Sequence, residues 1–134
     1  MKTVRILMVS TILVMLLCVG SSASDAQPAE QSTIYFLHQS NACHCIDVAC
    51  QAAQPLADKI EGALAQGITL KRLDYAKQPE QVDALTSRYK LFTFPAVLAV
   101  GADGAELYKA QGRLDNELVF GELEQLGLVL NKPD

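Results

Sequence analysis

The chain has 134 residues, is 50% hydrophobic and 19% charged, and carries a formal net charge of −4 at pH 7. That length predicts one domain, and the hydrophobic content excludes a disordered chain, while 8 Gly and 5 Pro exclude collagen-like and linker sequences. An acidic balance without a Lys/Arg cluster also excludes the basic face of a nucleic-acid binder.

The first 26 residues read as an address. Lys2 and Arg5 precede an apolar run over 6–19, interrupted only by Ser10 and Thr11, and small residues follow from Gly20 to Ala26. Charged start, apolar middle and small residues at a cut predict a secretory signal, cleaved after Ala23 or Ala26. The run is shorter than the roughly 20 apolar residues that a membrane-spanning helix needs, which leaves an uncleaved anchor as the alternative. Cys18 falls inside the apolar run, and Leu16-Leu17 before it lack the small residue of a lipoprotein signal. The expected domain is therefore 27–134, periplasmic or secreted, in a compartment that permits disulfides. Cys43, Cys45 and Cys50 remain in it, an odd number that leaves one thiol over.

Thr33-Ile-Tyr-Phe-Leu-His38 is β-branched and aromatic and predicts a buried strand. A loop over 39–42 follows, with Asn41 as the expected N-cap of a helix that carries the cysteines. Ile46, Cys50, Ala53, Leu56, Ala57, Ile60 and Leu64 recur at helical spacing. Pro55 predicts a kink or break near Gln54, and Gly67 is the expected end of the helix. Residues 68–73 alternate as a second strand. A loop leads to Pro79, which suits the first turn of a helix to Tyr89. Residues 95–100 form a third strand, apolar on both faces, and the turn over 101–104 contains Asp103-Gly104, a strong hairpin signal. Its partner strand is expected over 105–110, broken by Gly112. Asp115 caps a last helix over 116–126, stopped by Gly127. The first two strands, joined by a helix, should run parallel with a right-handed crossover. The expected sheet has four strands of mixed direction, with helices on both faces.

This element order over 33–127 resembles thioredoxin. A cysteine cluster opens the first helix after the first strand, and Pro95 leads the third strand in Phe92-Thr-Phe-Pro-Ala-Val97. The resemblance implies an α/β thioredoxin-like βαβαββα fold, in which Pro95 is cis and faces the cysteine site. It also implies that Pro95 and Phe94 shape a groove where an extended peptide docks by strand-like hydrogen bonds. The chain departs from the family in three places. The family motif is Cys-x-x-Cys, whereas this chain has Cys43-His44-Cys45. Ala42 stands where an aromatic usually precedes the first cysteine. No acid lies in the first strand.

A helix N-terminus lowers the pKa of a thiol held there, because its free N–H groups favour negative charge. Cys43 is thus the candidate nucleophile, His44 beside it lowers that pKa further when protonated, and Cys45 is the candidate resolving thiol. A Cys-x-Cys disulfide closes a small strained ring, which predicts an oxidising or isomerising pair. Cys50 lies about 10 Å further along a regular helix, too far to bond with Cys43, and reads as a core residue. A helix beginning only after Cys45 would bring it within reach. His38, at the end of the first strand, is a candidate proton donor or a strand-end side chain satisfied by the backbone. The expected function is thiol–disulfide exchange with protein thiols and disulfides, by a monomer without a cofactor. Two other readings remain open. In one, Cys43, His44, Cys45 and Cys50 form a Cu or Zn thiolate site. In the other, the domain is a redox-inert adaptor. A membrane would be met only through an uncleaved signal segment.

Overall fold

A computed structural model describes residues 31–131; the expected signal over 1–26, residues 27–30 and residues 132–134 lie outside the described residues. The elements run β1 (Thr33–His38), α1 (His44–Ala63), β2 (Thr69–Asp74), α2 (Pro79–Tyr89), β3 (Ala96–Val100), β4 (Glu106–Gln111) and α3 (Asn116–Gln125). The four strands form one sheet in the order β2-β1-β3-β4. β1 and β2 are parallel, with Leu37 beside Leu73 and His38 beside Asp74. β3 is antiparallel to both β1 and β4. The expected order of elements and the mixed four-stranded sheet are therefore observed.

Each face of the sheet carries its own core. Ile34 and Phe36 of β1 and Val97 and Ala99 of β3 pack on one side against Ala53, Leu56, Ala57 and Ile60 of α1 and Val119, Phe120 and Leu123 of α3. Leu37, Leu73, Ala96, Leu98 and Val100 pack on the other side with Val82 and Tyr89 of α2. All five residues of β3 are buried, which explains why its sequence shows an unbroken apolar run rather than alternation.

Several boundaries differ from the sequence expectation. Asn41 is not the N-cap of α1. It takes a left-handed φ of 57° in the preceding loop, a conformation Asn tolerates better than most residues, and the cap falls on Cys43. The helix is not broken at Pro55. That proline lies inside α1 on its exposed side, so the Gln51 carbonyl it leaves unbonded is within reach of water. The apolar residues before and after Pro55 are held against the same sheet. α1 ends at Ala63 rather than at Gly67, because Leu64 pairs with Val129 of the C-terminal segment. The Ala65 and Leu130 N–H groups donate to the carbonyls of Leu128 and Ala63 across this bridge. β2, β3 and β4 each begin one residue later than expected. A register shift at Ala99/Val100 accompanies the offset of β4.

Other local signals hold. Asp115 caps α3, its carboxylate accepting from the Glu117 and Leu118 N–H groups, both at 3.1 Å, as N-cap chemistry requires. Pro79 begins α2. Asp103 accepts from the Ala105 N–H at 3.0 Å in the hairpin turn.

Leu123 is fully buried where α3 meets the sheet. Its replacement by Ala removes core atoms and leaves a cavity, so Leu123→Ala should lower unfolding free energy by about 2–5 kcal/mol in a denaturant titration.

Candidate functional site

The loop between β1 and α1 is anchored from below by a carboxylate. Asp74, the last residue of β2, is only 5% exposed. The Ser40 hydroxyl donates to its Oδ2 at 2.6 Å, and the Ser40 and Ala76 N–H groups donate to its Oδ1 at 3.0 and 3.1 Å. Burial by itself would push this carboxyl up. The donors, aided by His38, outweigh burial and bring its pKa down to about 2. The buried acid missing from β1 is thus supplied by the neighbouring strand. It stays ionised and holds the loop rather than exchanging protons near neutrality. The sequence reading placed Asp74 in a loop; the usable signal was an acid directly after the apolar end of an alternating strand.

From Ser40 the chain passes through left-handed Asn41 to Cys43. The Cys43 carbonyl accepts from the Ile46 and Asp47 N–H groups, both at 3.0 Å, and opens α1. No side chain caps the helix there, so first-turn N–H groups remain to face the Cys43 sulfur. Cys43 and Cys45 are both exposed and unbonded, with Sγ atoms 3.0 Å apart. The hydrogen bond between the two sulfurs, in which either can donate, is the main force pulling the Cys43 pKa below the ordinary thiol value. The N–H of Ile46 adds to it. Cys45 moves the opposite way, pushed up first by that hydrogen bond and then by desolvation and the charge on Cys43. The two thiols are thereby divided into one that ionises early and one that keeps its proton.

The other candidates fall around this pair. His44 is exposed, and the forces that lower Cys43 come from Cys45 and the first-turn amides. Cys50 is 3% exposed; burial pushes its thiol up, and it belongs to the inner face of α1. His38 is half-buried, its ring 5.9 Å from that of Phe36. Burial lowers its pKa, and Asp74 partly offsets this. Among the described residues no three His, Cys, Asp or Glu side chains converge as a metal group. The four-ligand set Cys43, His44, Cys45 and Cys50 is therefore not assembled here.

Pro95 is buried, and the Phe94–Pro95 peptide is cis. Since Ala96 pairs with Leu37, Pro95 stands level with His38, at the edge of the sheet from which the cysteine loop departs. Its carbonyl accepts from the Gly112 N–H at 2.8 Å. Gly112 has a φ of +83°, and a Cβ there would come within 3.2 Å of the Thr93 methyl. The chain beyond Gly112 then reaches back toward α1. A groove of about 310 Å³ opens there, lined by Cys45, Val48, Ala49, Ala52, Arg113 and Leu114. Phe94 is half-buried, its ring 5.6 Å from that of Tyr75, while Phe92 is 83% exposed. Arg113 and Leu114 were not singled out in the sequence, where nothing ties them to a cysteine almost 70 residues away.

An exposed cysteine pair at the first turn of the helix after β1 and a cis proline before β3 lie at one edge of a βαβαββα sheet. The fold is thioredoxin-like. The chain is similar to thioredoxin-2 of a malaria parasite, a component of its protein secretion machinery, with a TM-score of 0.54 and 12% identity over 71% of this chain and 82% of that one. It is similar to the exposed lipoprotein thioredoxin of Streptococcus pneumoniae at a TM-score of 0.53 and 11% identity, covering 72% and 86% of the two chains. A mutant thioredoxin from Halobacterium salinarum aligns at a TM-score of 0.52 and 14% identity, covering 77% and 79%. No family model and no curated protein sequence matches the chain. The thioredoxin-like fold is carried by tertiary structure at a level of identity where sequence similarity has faded.

Two measurements check the site. Because Cys45 is the main cause of the lowered Cys43 pKa, Cys45→Ala should shift the pH of half-maximal Cys43 alkylation by iodoacetamide upward, read by peptide mass spectrometry. For Asp74, a lowered carboxyl pKa adds stability that is present above the ordinary acid range and lost as pH falls toward about 2. Asp74→Asn should therefore cost about 2 kcal/mol above roughly pH 5. The gap from wild type should close as the acid limb is reached in denaturant titrations at stepped pH.

Proposed function

We propose that this protein exchanges disulfides with partner proteins outside the cytoplasm. The observation that carries the reading is the exposed pair of sulfurs 3.0 Å apart at the start of α1, one thiol lowered and the other raised. The chemistry runs as follows. The Cys43 thiolate attacks one sulfur of a partner disulfide. A Cys43–partner disulfide forms, the partner S–S bond breaks, and the departing partner thiolate takes up a proton. Cys45 then loses its proton and attacks the Cys43 sulfur. The mixed disulfide breaks, the second partner thiol leaves, and Cys43–Cys45 is left as a disulfide. Two electrons have passed to the partner. An oxidised pair runs the same steps in reverse and oxidises a partner dithiol.

The remaining residues support this sequence. In this reading Pro95, level with His38 by strand register, and Phe94 shape the docking surface, and exposed Phe92 offers a partner segment further apolar area. Asp74 and Ser40 hold the loop that sets the position of Cys43. His44 and His38 are the further groups that would tune the thiols. Among the described residues, a metal-thiolate role on the same fold has two neighbouring sulfurs to draw on. Location outside the cytoplasm rests on the charged, apolar and small-residue layout of 1–26. No described helix is long and apolar enough to cross a membrane.

Insulin reduction by dithiothreitol and refolding of scrambled ribonuclease test the reading. Wild type should accelerate at least one of them, Cys43→Ser should lose the effect, and Cys45→Ser should accumulate a mixed disulfide with the substrate. Equal rates for wild type and Cys43→Ser would overturn it.

A further inference from the structure

The groove beside the cysteine pair carries one charge that the exchange chemistry does not use. Arg113 lines it and is exposed. Among the described residues no carboxylate lies within ion-pair distance of its guanidinium. The basic residues that do form ion pairs are Lys59, Arg72, Lys77 and Lys109. The rest of the lining is small or apolar: Val48, Ala49, Ala52 and Leu114, with Cys45 at one end. Arg113 is thus an unpaired cation on an uncharged wall, in a chain whose net charge is −4.

We propose that Arg113 is a specificity-determining residue that selects partner proteins whose reacting cysteine is flanked by Asp or Glu. The proposal rests on the exchange reading above and deepens it. The geometry gives the reason. The Cys43 sulfur that a partner would bond lies 3.0 Å from the Cys45 sulfur, and Cys45 is itself part of the groove wall. An extended chain advances about 3.3 Å per residue, so a residue next to the partner's cysteine falls into the groove. The alanines at positions 49 and 52 leave room for its stem, and half-exposed Val48 and Leu114 cover its methylenes. Arg113 offers a planar fork of donors to a carboxylate at the stem's end. The charge of the whole protein works against this choice, because an acidic protein attracts basic peptides. A preference for acidic flanks therefore has to come from a local cation.

The test uses reduced full-length protein and three disulfide-linked peptides that differ only in the residues on both sides of the cysteine: Glu, Gln or Lys. Bis(2-hydroxyethyl) disulfide serves as an uncharged control. At low salt, wild type should reduce the Glu peptide about two- to fivefold faster than the Gln peptide, the range of one exposed ion pair, with the Lys peptide slowest. The preference should fade as salt is raised. Arg113→Ala should level the Glu and Gln rates, and Arg113→Glu should reverse the order in favour of Lys. All three proteins should react equally with the uncharged control. Normal reaction with the control but no charge order in wild type, or an order that survives in Arg113→Glu, would overturn the proposal alone. No reaction with the control would overturn the exchange reading and the proposal with it.

Discussion

The stripe of Cys50, Ala53, Leu56, Ala57 and Ile60 on α1 is buried, and most of it lies against β1 and β3. That contact decides where the first turn of the helix points. A helix of 20 residues spans about 30 Å, and this one is held along its length by apolar packing at its middle and by the Leu64–Val129 bridge at its far end. Among the described residues its first turn, Cys43 to Cys45, is left exposed where β1 ends. Burial is the dominant favourable term in folding, so the thiols are exposed there as a consequence of a core built elsewhere.

A second constraint acts on the loop rather than on the helix. Asp74 ends β2 directly beside His38 of β1, and its carboxylate takes three hydrogen bonds from Ser40 and Ala76. A buried charge is tolerated when its lone pairs are filled, and here the donors come mainly from the segment that leads to Cys43. The clamp and the helix packing meet at one residue. Cys43 is placed by a fixed loop on one side and a fixed helix on the other, so its sulfur is set beside Cys45 and the first-turn amides. The opposite pKa directions of the two thiols follow from that placement.

The pair opens onto a surface assembled from distant parts of the chain. Pro95 joins it through the β1–β3 register, and Arg113 and Leu114 join it after the turn at Gly112. In the proposed exchange the sulfurs carry the chemistry. The proposed choice of partner would fall to this surrounding surface, and most of its members lie far from the cysteines in sequence. Fold and activity are thus separable here. The fold is thioredoxin-like, whereas the Cys-x-Cys spacing and the residues around the groove are this chain's own.

Local pattern determined a good deal by itself. The β-branched run of β1, the helical spacing of α1, the Asp103-Gly104 turn and the Asp115 cap each act over a few residues, and each is legible without the rest of the molecule. The position of Cys43 at a helix start was legible for the same reason, since it needs only the helix to be seen. Tertiary structure decided what depends on residues far apart. It moved the helix cap from Asn41 to Cys43, carried α1 through Pro55 because the sheet holds both halves, and ended it at Ala63 where Leu64 meets Val129. It made Asp74 a buried anchor by placing it beside Ser40, 34 positions earlier, and it brought Arg113 to Cys45. Hydrogen bonds within a turn or a helix are set by neighbours in the chain. Burial, strand register and long-range hydrogen bonds are set by neighbours in space, and only the folded chain supplies those.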